Sequence, residues 1–218
     1  MRRSGTDETR ALEFERTLQR LKREGCNLLL VGSVPDSVLS AASRKLFGDP
    51  EERRFRVAVL SGTPRTVVYE RLPTTALDET ATVISHEGVS IPPHISAPVV
   101  DVDSGIRELT SSISETITSF EGSKNFQPGE LRLGLDSLGS MLTRYDPTLV
   151  RQFLGIVGGQ VRGANGMGHY VLPRPYDHEL VTALEPLFDG VIEYRVENGR
   201  EERWHFTHHD LRSPWLPL

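Results

Sequence analysis

The stretch CNLLLVGSVPDSVLSAASRKLFG, Cys26 to Gly48, joins an apolar run to a helical pattern through a loop that opens at Gly32. CNLLLV shows none of the alternation of a half-exposed strand, so it reads as a strand buried on both faces, as parallel sheets require. In DSVLSAASRKLF, residues 36–47, Val38, Leu39, Ala42 and Leu46 fall on one helical face. A second apolar strand, FRVAVLSG, follows at Phe55. Strand, helix and strand in succession imply a parallel sheet with right-handed crossovers.

The pattern extends in both directions. Upstream, Ala11, Phe14, Leu18 and Leu21 recur at helical spacing with Leu12 beside them, and the segment stops at Gly25. Its apolar seam is expected to cover the domain's own core. From Thr63 to Pro98 five prolines break up the periodicity, leaving ATVIS as a short strand. PVVDV predicts another strand, and Ile106, Leu109, Ile113 and Ile117 mark a helix, followed by a polar loop, GSKNFQPG. A strand ending at Asp136 comes next. A helix then starts with Asp146 as N-cap and Pro147 at its first position. GHYVLPR, DHELVTALEPLFDG and VIEYRVENGREERWHF supply a strand, a helix and a hairpin turning near Asn198 and Gly199. The expected fold is a three-layer α/β domain, its sheet mostly parallel, with helices on both faces and a C-terminal antiparallel hairpin. Residues 1–25 form an N-terminal helix packed on this domain, 26–210 the domain itself, and 211–218 a tail whose Trp215 and Leu216 fold back over it.

Composition narrows the function classes. The 218 residues carry a formal charge of -5, so no general positive field draws nucleic acid or an anionic membrane. Only Lys22, Lys45 and Lys124 are lysines among 25 basic residues, a usage that fits a GC-rich or halophilic source. Cys26 is the single cysteine, which excludes an intrachain disulfide and suits a reducing cytoplasm. No apolar run approaches the roughly 20 residues of a bilayer span, and the first 25 residues lack a signal-peptide centre. A soluble cytoplasmic protein without membrane attachment is expected.

A phosphate-binding loop has the pattern G-x-x-x-x-G-K-[ST] between a buried strand and a helix. Counted from Gly32, the second glycine falls on Ser37, the lysine on Val38 and the magnesium-binding hydroxyl on Leu39. The context is present and the chemistry is missing. Ser33 and Asp36 stand at capping-box spacing, and a carboxylate at Asp36 lies where the helix dipole would otherwise favour phosphate. Asp36 is therefore expected to take the anion's place.

Other constellations carry less. GANGMG, Gly163 to Gly168, follows a helix instead of a strand and reads as a turn, not a dinucleotide site. LDSLG approaches a nucleophile elbow at Ser137, but Leu135 stands where the sharp turn needs a small residue, which disfavours a hydrolase built with Asp189 and a C-terminal histidine. His205, His208, His209 and Asp210 lack the spacing of a zinc site and read as an exposed polar terminus. Arg144, Arg151, Arg162 and Arg174 would have to line one edge to hold single-stranded DNA, and aromatic interleaving is sparse.

From LRLGLDSLGSML to LFDGVIEYR, the second half resembles the C-terminal half of RecA/KaiC-type ATPase domains, most closely the degenerate relatives abundant in halophilic archaea. The resemblance spans roughly Cys26 to Arg195 and rests on Asp136 and Ser137 ending an apolar strand, the helix around VRQFL, and DHE before LFDGVIEYR. It implies that Asp136 is the counterpart of the Walker B aspartate, which positions magnesium through water. It also implies that a water-activating acid belongs after the second strand, where Ser61, Gly62 and Thr63 stand instead. With lysine, hydroxyl and acid all replaced, efficient hydrolysis is not expected, because parts of one catalytic unit fail together. The expected function is a catalytically inactive regulatory or protein-interaction module that associates with a protein partner or itself, not with nucleic acid. It would need no cofactor, with weak binding of ATP and magnesium left open. The alternatives are a nucleotide-binding switch with little turnover and a DNA-repair or recombination accessory protein.

Overall fold

The computed structural model describes residues 4–62, 71–72, 80–87, 97–123, 126–207 and 211–218, with side chains from Leu12 onward except Ser123. Among the described residues, one ten-stranded sheet runs through the molecule. In chain order the elements are α1 (Ser4–Glu24), β1 (Cys26–Val31), α2 (Asp36–Phe47), β2 (Phe55–Ser61), β3 (Ala81–His86), β4 (Val99–Val102) and α3 (Gly105–Ser123). There follow β5 (Leu131–Asp136), α4 (Leu138–Arg144), α5 (Pro147–Gly163), β6 (Met167–Leu172), α6 (Glu179–Leu184), β7 (Gly190–Val196), β8 (Arg200–Phe206), β9 (Leu211–Arg212) and β10 (Leu216–Pro217). The strand order is β10-β8-β7-β1-β6-β5-β2-β3-β4, with β9 also paired to β8. From β7 to β4 every pairing is parallel, and β8 turns back antiparallel on β7.

Strand periodicity divides the core in two. Leu29 and Val31 of β1 point to the face covered by α3, α4, α5 and α6, together with Leu133, Leu135, Val57 and Val59. Leu28 and Leu30 point to the other face, under Leu21 of α1 and Val38, Leu39 and Ala42 of α2. Residues of β1, β2, β3, β5 and β6 are buried throughout, as the unalternating runs require. Phe14 and Leu18 of α1 pack on the same cluster, so the helix's seam covers this chain's own core, while Leu12 stays exposed.

Local chemistry sets the helix ends. Asp146 accepts a hydrogen bond from the Thr148 amide at 2.8 Å, and Pro147 opens α5. The short α4, absent from the periodicity reading, begins where Ser137 Oγ accepts from the Ser140 amide. Residues 179–187 do not make one helix. α6 ends at Leu184, and a single 3-10 turn over Glu185–Leu187 follows, because Pro186 cannot donate back into an α-helix. Ser123, expected in a loop, extends α3.

One buried polar residue ties several elements together. The Asn27 side chain donates to the Gly158 carbonyl of α5 and accepts from Tyr170 Oη, each at 3.0 Å. Its backbone amide donates to Asp189 Oδ2 at 2.8 Å, just before β7. A polar side chain this deep is tolerated because its partners are supplied. The C-terminal tail folds back as expected: Leu216 pairs with Glu202, and the Trp215 ring lies 3.9 Å from the Arg195 guanidinium and 4.2 Å from that of Arg203.

Candidate functional site

At the C-terminal ends of the parallel strands, the loop after β1 and the end of β5 face each other across β6. Gly32 is held by backbone packing: its amide donates to the Arg174 carbonyl, and a Cβ there would stand 2.6 Å from the Tyr194 carbonyl oxygen. The β7 backbone thus accounts for this glycine by itself.

The capping-box expectation does not hold. Pro35 occupies the N-cap and no side chain caps α2. Asp36 is the first helical residue, and its carboxylate turns instead to Arg71 Nη2, 2.8 Å away, while Ser40 Oγ donates weakly to its other oxygen. Arg71 Nε pairs in turn with Asp136 Oδ2. A guanidinium, 4 % exposed in its side chain, therefore joins the loop after β1 to the end of β5. Ser37, Val38 and Leu39 continue α2, where Val38 and Leu39 are buried in the core.

Asp136 is buried, and burial pushes its carboxyl up to about 6; Arg71 pulls the other way and Asp36 adds to the rise. Beside it a small cavity of about 10 Å³ is lined by Arg71, His169, Gly134 and Ser43, at the lower limit for one water. The His169 ring, within 3.1 Å of Ser43 Oγ, is driven down to about 3 by burial and then by Arg71 and Arg132, so it is neutral.

The segment after β2 is tied to the same strand end. The Ser61 carbonyl accepts from the Ser137 amide and from Ser140 Oγ. Ser61 Oγ is fully buried against His86 Nδ1 at 2.9 Å, facing away from Asp136. Gly62 adopts a φ of 62°, with Ser140 so close that a Cβ would meet it at 2.9 Å. Thr63 lies outside the described residues, as do His208, His209 and Asp210.

An acid does stand at a neighbouring strand end. Glu87 follows β3, where Arg144 Nη1 pairs with one carboxylate oxygen and Tyr145 Oη donates to the other at 2.5 Å. Burial lowers the His86 pKa, and burial together with the Glu87 contact raises Tyr145 to about 12, so both rings are neutral at pH 7. The acid after ATVIS was visible in SHEG, whereas Arg71, within a segment of no periodicity, gave no signal at all.

The remaining candidates are dispersed or engaged. Asp189 lies at the opposite end of the sheet from Ser137, paired with Arg162, which removes the hydrolase arrangement. Arg144 and Arg162 are likewise at opposite ends, Arg151 donates to the Ala183 carbonyl, and Arg174 is exposed, so the four do not share one edge. His205 contacts Glu193 Oε2 at 3.0 Å, accepts from Arg212 and stacks on Tyr176. Among the described residues no group of three or more His, Cys, Asp or Glu side chains could hold a metal ion, and no helix is long and apolar enough to cross a membrane.

This order of parallel strands, with helices on both faces, defines a mostly parallel α/β fold, and it is shared with a KaiC-like structure. A KaiC-like protein from the hyperthermophilic archaeon Pyrococcus horikoshii OT3, PH0186, is similar with a TM-score of 0.54 at 16% identity, over 84% of this chain and 78% of that one. An uncharacterized P. horikoshii protein, PH0321, in complex with an unknown peptide, is similar with a TM-score of 0.59 at 12% identity, over 89% and 88%. At these identities the likeness is one of fold. Within that class the chain belongs to the family of unknown function DUF7504, whose model matches residues 25–194. No curated protein matches it.

Proposed function

We propose that this domain is a catalytically inactive RecA/KaiC-like module that works in the cytoplasm by associating with a protein partner. The observation that carries the reading is the Asp36–Arg71–Asp136 clamp. A guanidinium lies between the two carboxylates nearest to where a phosphate and its magnesium would sit, and the loop supplies neither lysine nor hydroxyl. These residues do not fit Mg·ATP: a metal would have to displace Arg71 from a buried carboxylate. Glu87, the acid at a neighbouring strand end, is held by Arg144 and Tyr145. A fold retained without that chemistry serves association, and the peptide bound to a structural neighbour supports the same use here.

Thermal unfolding with and without Mg·ATP, at low salt and at molar salt to suit a halophilic composition, tests the exclusion of nucleotide by the clamp. No shift is expected in either condition, and a saturable rise with micromolar affinity overturns it. Affinity capture from native cells, repeated with purified components, tests the association.

The second reading, a nucleotide-binding switch, is favoured by the retention of Asp136 at its strand end. It requires the thermal shift that the first forbids. Pairing of Arg144 and Arg162 with acids weighs against a DNA accessory role, which salt-dependent retention on single-stranded DNA would reinstate.

A further inference from the structure

At the opposite end of the sheet from Asp136, the first residues of β1, β5 and β6 floor a cavity of about 440 Å³ beneath α1. One side of it is apolar, from Phe14, Leu18 and Leu21 of α1 to Leu28 and Trp204, and the other is charged, with Lys45, Glu52, Arg54, Arg132 and Glu202. Cys26 belongs with the apolar side, because burial raises its thiol to about 12 and keeps it neutral. The size lies within the range of small-molecule sites, which pair such walls with a few placed polar groups.

The charges around this cavity do not balance. Lys45 is paired with Glu202 at 3.1 Å and Arg54 with Glu52 at 2.6 Å, so two lining cations are matched by the two lining carboxylates. Arg132 is not matched. It is 9% exposed, and among the described residues no carboxylate stands within ion-pair distance of it. Its Nε donates to the Gly129 carbonyl, while Nη1 meets the Leu46 carbonyl at 3.2 Å and the thioether of Met167 at 2.8 Å. A thioether is a weak acceptor. Arg56, the other deeply buried arginine on this side, instead reaches three backbone carbonyls, of Phe47, Asp49 and Arg54, and does not line the cavity. Burial lowers Arg132 to about 10, which leaves it charged at neutral pH. Lys22, exposed at the rim, adds to the same sign.

We propose that this cavity binds a single-chain amphiphile with an anionic headgroup, its apolar tail lying between α1 and the sheet and its headgroup paired with Arg132. The site is separate from the clamp, so it stands whether or not the domain binds nucleotide. The apolar side favours a ligand with a tail over a purely polar anion, and the excess of lining cations disfavours a cationic amphiphile.

Calorimetric titration of the full chain with dodecanoate below its micelle concentration tests the proposal, with dodecanol and dodecyltrimethylammonium as headgroup controls. Dodecanoate should bind at least about tenfold more tightly than either control. Arg132→Gln should remove that preference while leaving dodecanol binding unchanged. Because Arg132→Gln alters a buried site, Leu18→Trp provides an independent arm: it fills the tail region from a half-buried position on α1 and should abolish dodecanoate binding with Arg132 in place. Absence of dodecanoate binding, equal affinity for the three amphiphiles, or undiminished preference in Arg132→Gln overturns the proposal. So does sedimentation with phosphatidylglycerol vesicles in the absence of dodecanoate binding, which would mark a membrane surface instead.

Discussion

The two ends of the central sheet handle buried charge in opposite ways. At the C-terminal ends of the strands, Arg71 is enclosed and paired with both Asp36 and Asp136, leaving a cavity of only about 10 Å³. At the N-terminal ends, Arg132 is buried with no carboxylate at ion-pair distance among the described residues, and borders a space of about 440 Å³. In this fold class the first end is the one a sequence reader inspects, and here it is closed from within. The second end, where no motif points, keeps the room and the unmatched charge that a ligand would use.

Substituting the two arginines should separate the ends most clearly. Arg71→Ala strands a buried carboxylate and should lower unfolding free energy by about 3–5 kcal/mol in chemical denaturation, with much of the loss recovered by adding Asp136→Asn. Arg132→Met strands only backbone carbonyls, so about 1–3 kcal/mol is expected. Equal losses would erase the distinction.

The pH dependence of stability sharpens it next. Asp136 is raised from its ordinary 3.8 to about 6, so between those values the folded chain holds a proton the unfolded chain has released, and stability falls as pH rises. His169, lowered from 6.5 to about 3, acts the other way: the unfolded chain takes up its proton first, and stability is lost as pH falls below 6.5. The two slopes oppose each other between about pH 4 and 6. In Asp136→Asn the falling slope is removed. Its stability relative to wild type should therefore improve by about 2 kcal/mol from pH 4 to pH 7.

Much of this architecture was legible beforehand, and the reasons differ by region. CNLLLV, FRVAVLS and ATVIS announce buried parallel strands because nothing in them faces water, and Asp146–Pro147 announces a helix start. The loop replacements at Ser37, Val38 and Leu39 were equally plain. The clamp was not, because its central residue is 35 positions from Asp36 and sits among prolines without period. Long-range ion pairs leave no local pattern, and Arg132 looked like any other strand residue.

Smaller effects follow at each end. Gly32→Ala places a Cβ 2.6 Å from the Tyr194 carbonyl oxygen, so a loss of about 1–3 kcal/mol in thermal unfolding should mark the clamp end as tightly packed. Lys45→Ala, at the cavity rim, removes an exposed partner from Glu202, which keeps its bond from Trp204 Nε1. Less than about 1 kcal/mol is expected there.

Asn27 carries a consequence for how such chains can change over time. Its amide fits because Gly168 has no Cβ, which would lie 2.6 Å from Oδ1, and because Gly158 brings the α5 backbone within reach of Nδ2. Tyr170 completes the set from the neighbouring strand. No one of these four positions is free to drift alone: an apolar residue at 27 would leave the Tyr170 hydroxyl without its acceptor, and a side chain at 168 would evict the amide. Aligned relatives should therefore exchange Asn27, Gly158, Gly168 and Tyr170 together as one inherited unit.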